Sequence, residues 1–223
     1  MRVLLLTPPM TQLNTPYPAT AYLTGFLRAH AAALDLVVSQ ADPALSLFLR
    51  LFEAGTVERI AEILTERARG AGRGAPMPAP IAHFLRHAPV YVDTVGPAIR
   101  FLQGRDPSLA LRIAGRAFLP EGPRFAHLSP PPGAGDDADD EAGGAGPDEQ
   151  LVWAFGALGT TEQARYLASL YVDDLVDVIR EGIDPRFELS RYGERLAASA
   201  PSFDPLHAAL QAEPTLVDTL LAD

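Results

Sequence analysis

The polar side chains best placed to hold a ligand follow a short apolar run. Val3-Leu4-Leu5-Leu6 is closed by Thr7-Pro8-Pro9, and Thr7, Pro8, Gln12, Asn14 and Tyr17 lie just beyond it. In open α/β sheets ligands sit outside the carboxyl ends of the strands, so these five residues stand nearest any cofactor. A purely structural reading has the prolines stiffening a long loop and Tyr17 in the core. His83 and His87 are spaced i, i+4, which can turn two imidazoles toward one metal. A zinc site needs a third ligand, and a metalloprotease motif needs Glu at position 84, which is Phe; surface histidines are the simpler reading. Asp173, Asp174 and Asp177 could be metal carboxylates, but a solvated helix face accounts for them without a ligand. Gly70-Ala71-Gly72-Arg73-Gly74 lacks the preceding strand and the Lys-Ser/Thr end of a phosphate cradle, and reads as a linker. No Gly-x-Ser-x-Gly elbow is present.

The elements that would position these residues divide into an α/β opening and a helical remainder. Val3–Leu6 is continuously apolar, as expected of a parallel strand covered on both faces. Tyr22, Leu23, Phe26 and Leu27 give an amphipathic helix ending near His30, and Leu34–Ser39 gives a second strand. Strand, long loop, helix and strand make the βαβ start of a Rossmann-like sheet over residues 1–42. Helices follow over residues 43–119: Ala44–Phe52 with a Leu45, Phe48, Leu49, Phe52 stripe, a second through Arg67, then Ile81–Arg86, Val90–Leu102 and Leu109–Ala117, with Pro89 separating two of them. Residues 120–148 are rich in Pro, Gly and Asp and poor in large apolar side chains, which predicts a disordered acidic linker. From 149 to 223 helices resume, the strongest over Glu162–Arg180, with others at Ser190–Ala198, Phe203–Leu210 and Thr215–Leu221. The fold class is therefore α/β but mainly helical, an incomplete Rossmann-like opening followed by a helical region.

Composition narrows the partners. Of the net charge of −10, most comes from Asp136, Asp137, Asp139, Asp140, Glu141, Asp148 and Glu149, and no basic patch compensates elsewhere. Nucleic acid and membrane surfaces are poor partners for such a chain. Cysteine is absent, which excludes disulfides, thiolate metal sites and thiol nucleophiles. The N-terminal apolar run is too short for a signal peptide and no run reaches a membrane span, so a cytoplasmic location is expected.

The stretch from Val3 to Arg28, with its Pro8-Pro9 turn and Tyr22-Leu23-Thr24-Gly25-Phe26-Leu27, resembles the N-terminus of radical S-adenosylmethionine proteins that carry a cobalamin-binding domain. In that family the second strand ends in Gln-x-Asp, here Gln40-Ala41-Asp42, and Asp184-Pro185-Arg186-Phe187-Glu188-Leu189-Ser190-Arg191-Tyr192 resembles the helical insertion of one subgroup. The resemblance implies a cobalamin site near Thr7, Pro8, Gln12, Asn14 and Tyr17, with Gln12 and Asn14 bonding corrin amides and Tyr17 packing on the macrocycle. It also implies S-adenosylmethionine and a [4Fe–4S] cluster in the complete enzyme, used for methyl or other radical transfer. The chain departs from the family twice. It has no Cys-x3-Cys-x2-Cys to hold a cluster, so by itself it is not that enzyme, and none of its five histidines lies in the Asp-x-His-x2-Gly motif that ligates cobalt.

A parallel pair apolar on both faces needs further strands and covering helices, and the sequence shows no third convincing strand. The pattern also runs to Asp223 without a helix stop signal. The expectation is therefore a front portion, completed by the remainder of the same polypeptide or by a companion radical S-adenosylmethionine chain. The alternative is a stand-alone, mainly helical interaction protein without cofactor, for which the Leu45–Phe52 stripe would offer an exposed surface.

Overall fold

A computed structural model describes residues 1–7, 18–70, 76–128, 159–189 and 202–222. Among them the chain is mainly helical with one small sheet, and it divides into two compact units. The first comprises Met1–Leu51 and Ile183–Asp223, the second Phe52–Gly182. Residues 183–223 thus fall in the same unit as the N-terminal part.

In the first unit, β1 (Arg2–Leu6) and β2 (Val37–Ala41) pair in parallel, Val3 opposite Val38 and Leu5 opposite Gln40. Pro18–Ala29 (α1) and the short Ala31–Leu34 (α2) connect them. Pro18 opens α1 at a position where a missing N–H costs nothing. Side chains alternate along a strand, and the Thr7 hydroxyl reaches Thr20 on α1, so Val3 and Leu5 share the face that α1 covers. Leu4 and Leu6 point the other way and remain 57% and 52% exposed, with Val37 beside them at 61%. The expectation of a strand buried on both faces is thus corrected: among the described residues only one face is covered.

Helix α1 differs from its sequence pattern too. It buries Thr20 and Thr24, while Tyr22, Leu23 and Phe26, three of the four residues expected to face the core, are exposed. Asp42 accepts the Leu45 N–H at 2.9 Å and caps α3 (Pro43–Leu51), whose buried line is Ala44, Leu47 and Leu51; of the expected stripe Phe52 is buried, Phe48 and Leu49 are half-buried and Leu45 is exposed. Asp204–Gln211 (α8) and Leu216–Ala222 (α9) complete this unit, and Arg50 on α3 donates to the Leu220 carbonyl of α9 at 2.9 Å. Thr215 and Asp218 form a reciprocal cap at the start of α9, the Asp218 carboxylate accepting the Thr215 N–H at 2.8 Å.

The second unit is built on Ala54–Gly70 (α4), Ala79–Leu102 (α5), Ala110–Ala114 (α6) and Thr160–Gly182 (α7), with 3₁₀ turns at Pro107–Leu109 and Pro123–Leu128. The two helices expected on either side of Pro89 are one: α5 contains both Pro89 and Pro97. A proline inside a helix costs about 3 kcal/mol. Burial of Phe84, Tyr91, Val95, Ala98 and Phe101 between α4 and α7 outweighs it. From Tyr171 to Ile179 α7 is buried on nearly every side, because α5, α6 and the second 3₁₀ turn pack around it. At its end Gly182 permits the close approach of α4, since a Cβ there would meet Leu64 at 2.5 Å. No helix among the described residues is long and apolar enough to cross a membrane.

Candidate functional site

The strand end that should receive a ligand is occupied by side chains serving the fold. Thr7 continues the ladder by donating its N–H to the Ala41 carbonyl at 3.1 Å. Its hydroxyl lies 3.2 Å from that of Thr20, to which Gln40 Nε2 also donates at 3.3 Å, and Thr24 donates back to the Thr20 carbonyl at 2.6 Å. Three buried threonines are thereby satisfied where α1 meets the sheet. Of the five residues singled out in the sequence, Thr7 is the one described; Pro8, Gln12, Asn14 and Tyr17 lie outside the described residues. A corrin would need polar groups directed outward, and the Thr7 hydroxyl is spent inside the strand–helix contact. Thr7 alone among the described residues bears on that expectation, and its side chain faces α1.

The histidine pair is half-buried rather than on the surface. The rings lie 4.3 Å apart, and His87 Nδ1 donates to the His83 carbonyl at 3.0 Å. His83 Nε2 is buried with no partner among the described residues. Burial, then the charges of His87 and Arg86, lower its pKa and keep the ring neutral. No third ligand joins them: no group of three His, Cys, Asp or Glu among the described residues could hold a metal ion. Gly70 closes α4, and residues 71–74 of the glycine run lie outside the described residues.

The aspartates of α7 overturn the reading of a solvated face. Asp174 and Asp177 are 2% and 6% exposed. The Asp174 carboxylate accepts the backbone N–H groups of Gly122 at 3.0 Å and Arg124 at 2.9 Å. Asp177 takes the Arg124 guanidinium edge-on, Nε at 2.5 Å and Nη2 at 2.8 Å, and Arg180 Nη2 at 2.5 Å. Burial drives the Asp174 pKa up to about 6 despite those amide bonds and the nearby Arg124 charge, with Asp177 adding to the rise. Apart from Arg180, their partners come from residues 121–128, expected to begin the acidic linker but ordered here by burial of Phe125 and Leu128; residues 129–158 lie outside the described residues. Nearby, Tyr91 and Tyr171 stack 5.3 Å apart, and the Tyr171 hydroxyl donates to the Tyr91 carbonyl at 3.2 Å and lies 3.1 Å from that of Thr94.

In the first unit Asp184 and Arg186 form the densest polar contact. Arg186 donates to Asp184 from Nε, Nη2 and its backbone N–H at 3.0, 3.0 and 2.9 Å, and from Nη2 to Asp218 at 3.0 Å. Thr215 donates to Asp184 at 3.0 Å. Burial opposes ionisation of Asp184, yet the bonds from Arg186 and Thr215 outweigh it and hold the carboxyl below its ordinary range. This network pins the segment after Ile183 to the start of α9, a role the spacing Asp184-Pro185-Arg186 does not announce. No family model, curated protein or solved structure matches the chain.

Proposed function

We propose that this chain is the N-terminal cobalamin-domain portion, with its helical insertion, of a radical S-adenosylmethionine protein that carries out methyl or other radical transfer. The observation that carries the reading is the half-open parallel pair. Parallel strands are stable when buried on both faces within a larger sheet, whereas Leu4, Leu6 and Val37 lie on a face that none of the described residues covers. Among the described residues the ladder has a free edge as well. Met1 and Thr7 bond to β2, so by alternation the N–H and C=O groups of Arg2, Leu4 and Leu6 are directed away from it. A strand beside β1 and a helix over Leu4 and Leu6 would complete the arrangement. The resemblance of residues 3–28 supplies the family. The chain then contributes framework to the cofactor domain and no catalytic residue.

The test begins with the coding sequence beyond the Asp223 codon. Further βα units and a Cys-x3-Cys-x2-Cys motif are expected there, and the continued protein is expected to retain corrin absorbance through gel filtration after incubation with hydroxocobalamin, whereas residues 1–223 alone are not. A stop codon followed by unrelated sequence favours the stand-alone interaction protein instead. A continued protein that retains no corrin removes the cobalamin assignment.

A further inference from the structure

Among the described residues one buried side-chain polar atom has no hydrogen-bond partner: Nε2 of His83 on α5. In folded proteins such an atom normally faces an ordered water or an ion. One turn further on, His87 is already oriented as metal-binding imidazoles are. A carbonyl oxygen can only accept, so the 3.0 Å bond to the His83 carbonyl fixes a proton on His87 Nδ1, and the neutral ring carries its lone pair on Nε2. The two rings stand 4.3 Å apart and are tilted by 33°, an arrangement open to two ligands that radiate from one point. We propose that His83 and His87 bind one divalent d-block cation through their Nε2 atoms, in neighbouring coordination positions, with water in the others.

The chemistry of the pair selects the ion. With Nε2–metal bonds of ~2 Å, ring centroids lie about 4.5 Å apart when the bonds meet at a right angle and about 5 Å apart at the tetrahedral angle. The observed separation matches the right angle, which is that of neighbouring positions around tetragonal Cu²⁺ or Ni²⁺, rather than the wider angle of Zn²⁺. Of the first-row divalent ions Cu²⁺ also binds such nitrogen sites most tightly. Mg²⁺ and Ca²⁺ require oxygen ligands, and no carboxylate joins the pair among the described residues. Burial, then the charges of His87 and Arg86, keep the His83 ring neutral, so a lone pair is available to a metal without competition from a second proton. The Arg86 charge also works against a cation, so affinity has to come from the two imidazole bonds together. No other two histidines of the chain are spaced i, i+4, which makes His30, His127 and His207 internal controls.

The experiment titrates the intact chain with Cu²⁺ at neutral pH and follows it by electron paramagnetic resonance with spin-echo modulation, which counts bound imidazoles from their remote nitrogens. A first equivalent held by two imidazoles is expected. His83→Ala and His87→Ala should each weaken it by about tenfold or more, at least what loss of an outer-shell partner costs a metal site, and should abolish the two-imidazole signal. His30→Ala should leave both unchanged. Paramagnetic broadening of amide resonances in the unaltered chain locates the ion without any variant, and guards against one that fails to fold. Broadening centred on the turn from His83 to His87 supports the site. Broadening centred on His30, His127 or His207, a single-imidazole signal, or a Cu²⁺ affinity that survives His87→Ala overturns it, as does the absence of binding.

Discussion

Arg124 meets Asp177 edge to edge, Nε on Oδ2 and Nη2 on Oδ1, across 53 residues of sequence. The pair is unsymmetrical in its surroundings: the aspartate side chain is 9% exposed and the arginine 44%. Removing the arginine leaves a buried carboxylate with Arg180 alone, whereas removing both charges together leaves no buried charge unpaired, since the Arg180 side chain is 38% exposed to water. Arg124→Met is expected to cost about 2 kcal/mol in urea unfolding, discounted for the exposure of the guanidinium. The double variant Arg124→Met with Asp177→Leu should recover most of that loss. A double variant no better than the single one would show that the guanidinium contact is not what Asp177 requires.

Tyr91 and Tyr171 are buried, and burial is the main reason that both phenols ionise well above the ordinary tyrosine range; the Asp174 charge adds to the effect on Tyr91, and the Thr94 bond partly offsets it on Tyr171. Raised values mean that the neutral phenols support the fold fully below about pH 10 and that this support is lost as pH rises beyond it. In an alkaline titration followed by ultraviolet absorbance, these two tyrosines should ionise only with unfolding. Reversible ionisation of all six tyrosines in the folded chain would contradict this. Tyr171→Phe keeps the stacked ring but drops the hydroxyl, and is expected to cost about 1–2 kcal/mol.

The two strands and most of the helices were legible because continuous apolar runs and helical periodicity survive in the sequence, but the continuity of α5 through Pro89 was not, since burial against its neighbours outweighs the proline. Which face each element buries was less so. Helix α1 carries Tyr22, Leu23 and Phe26 at helical spacing, yet turns Thr20 and Thr24 to the sheet, since their hydroxyls find partners in Thr7, Gln40 and the helix backbone. Periodicity could not reveal Asp174 either, because a helix enclosed on nearly all sides has no polar face to set the aspartates apart. The ordered residues 121–128 were hidden by joining the composition of the acidic stretch that follows them. The Thr215-x-x-Asp218 spacing did carry a capping signal that marks the start of α9. Four of the five ligand-contact expectations lie outside the described residues, and the fifth, Thr7, has its side chain in the packing.

The face of β1 that no described residue covers gives a prediction in which context decides the sign. In residues 1–223 alone, Leu4→Lys with Leu6→Lys is expected to change stability by no more than about 0.5 kcal/mol and to reduce self-association in sedimentation, because exposed leucines contribute little burial. In a continued protein whose further strands and helices cover that face, the same pair should cost several kcal/mol. A large loss in the short chain would mean that the face is already covered there.

Asp184 should give the opposite pH response to Asp174. Its value is lowered in the folded chain, so the stability it contributes is present above the ordinary aspartate value and lost as pH falls through the lower folded one. The first unit is accordingly expected to loosen at Thr215 and the start of α9 below the ordinary aspartate value, a lower range than the one in which Asp174 takes up its proton. Chemical shifts of Thr215 and Gly122, followed in one titration, report the two responses separately. Asp184→Asn keeps the shape but removes the charge that Arg186 and Thr215 address, and should cost about 1–2 kcal/mol at pH 7 while abolishing the acid-induced change at Thr215. If Thr215 and Gly122 instead lose structure together over one pH range, a single group governs both and the assignment of opposite slopes to the two aspartates fails.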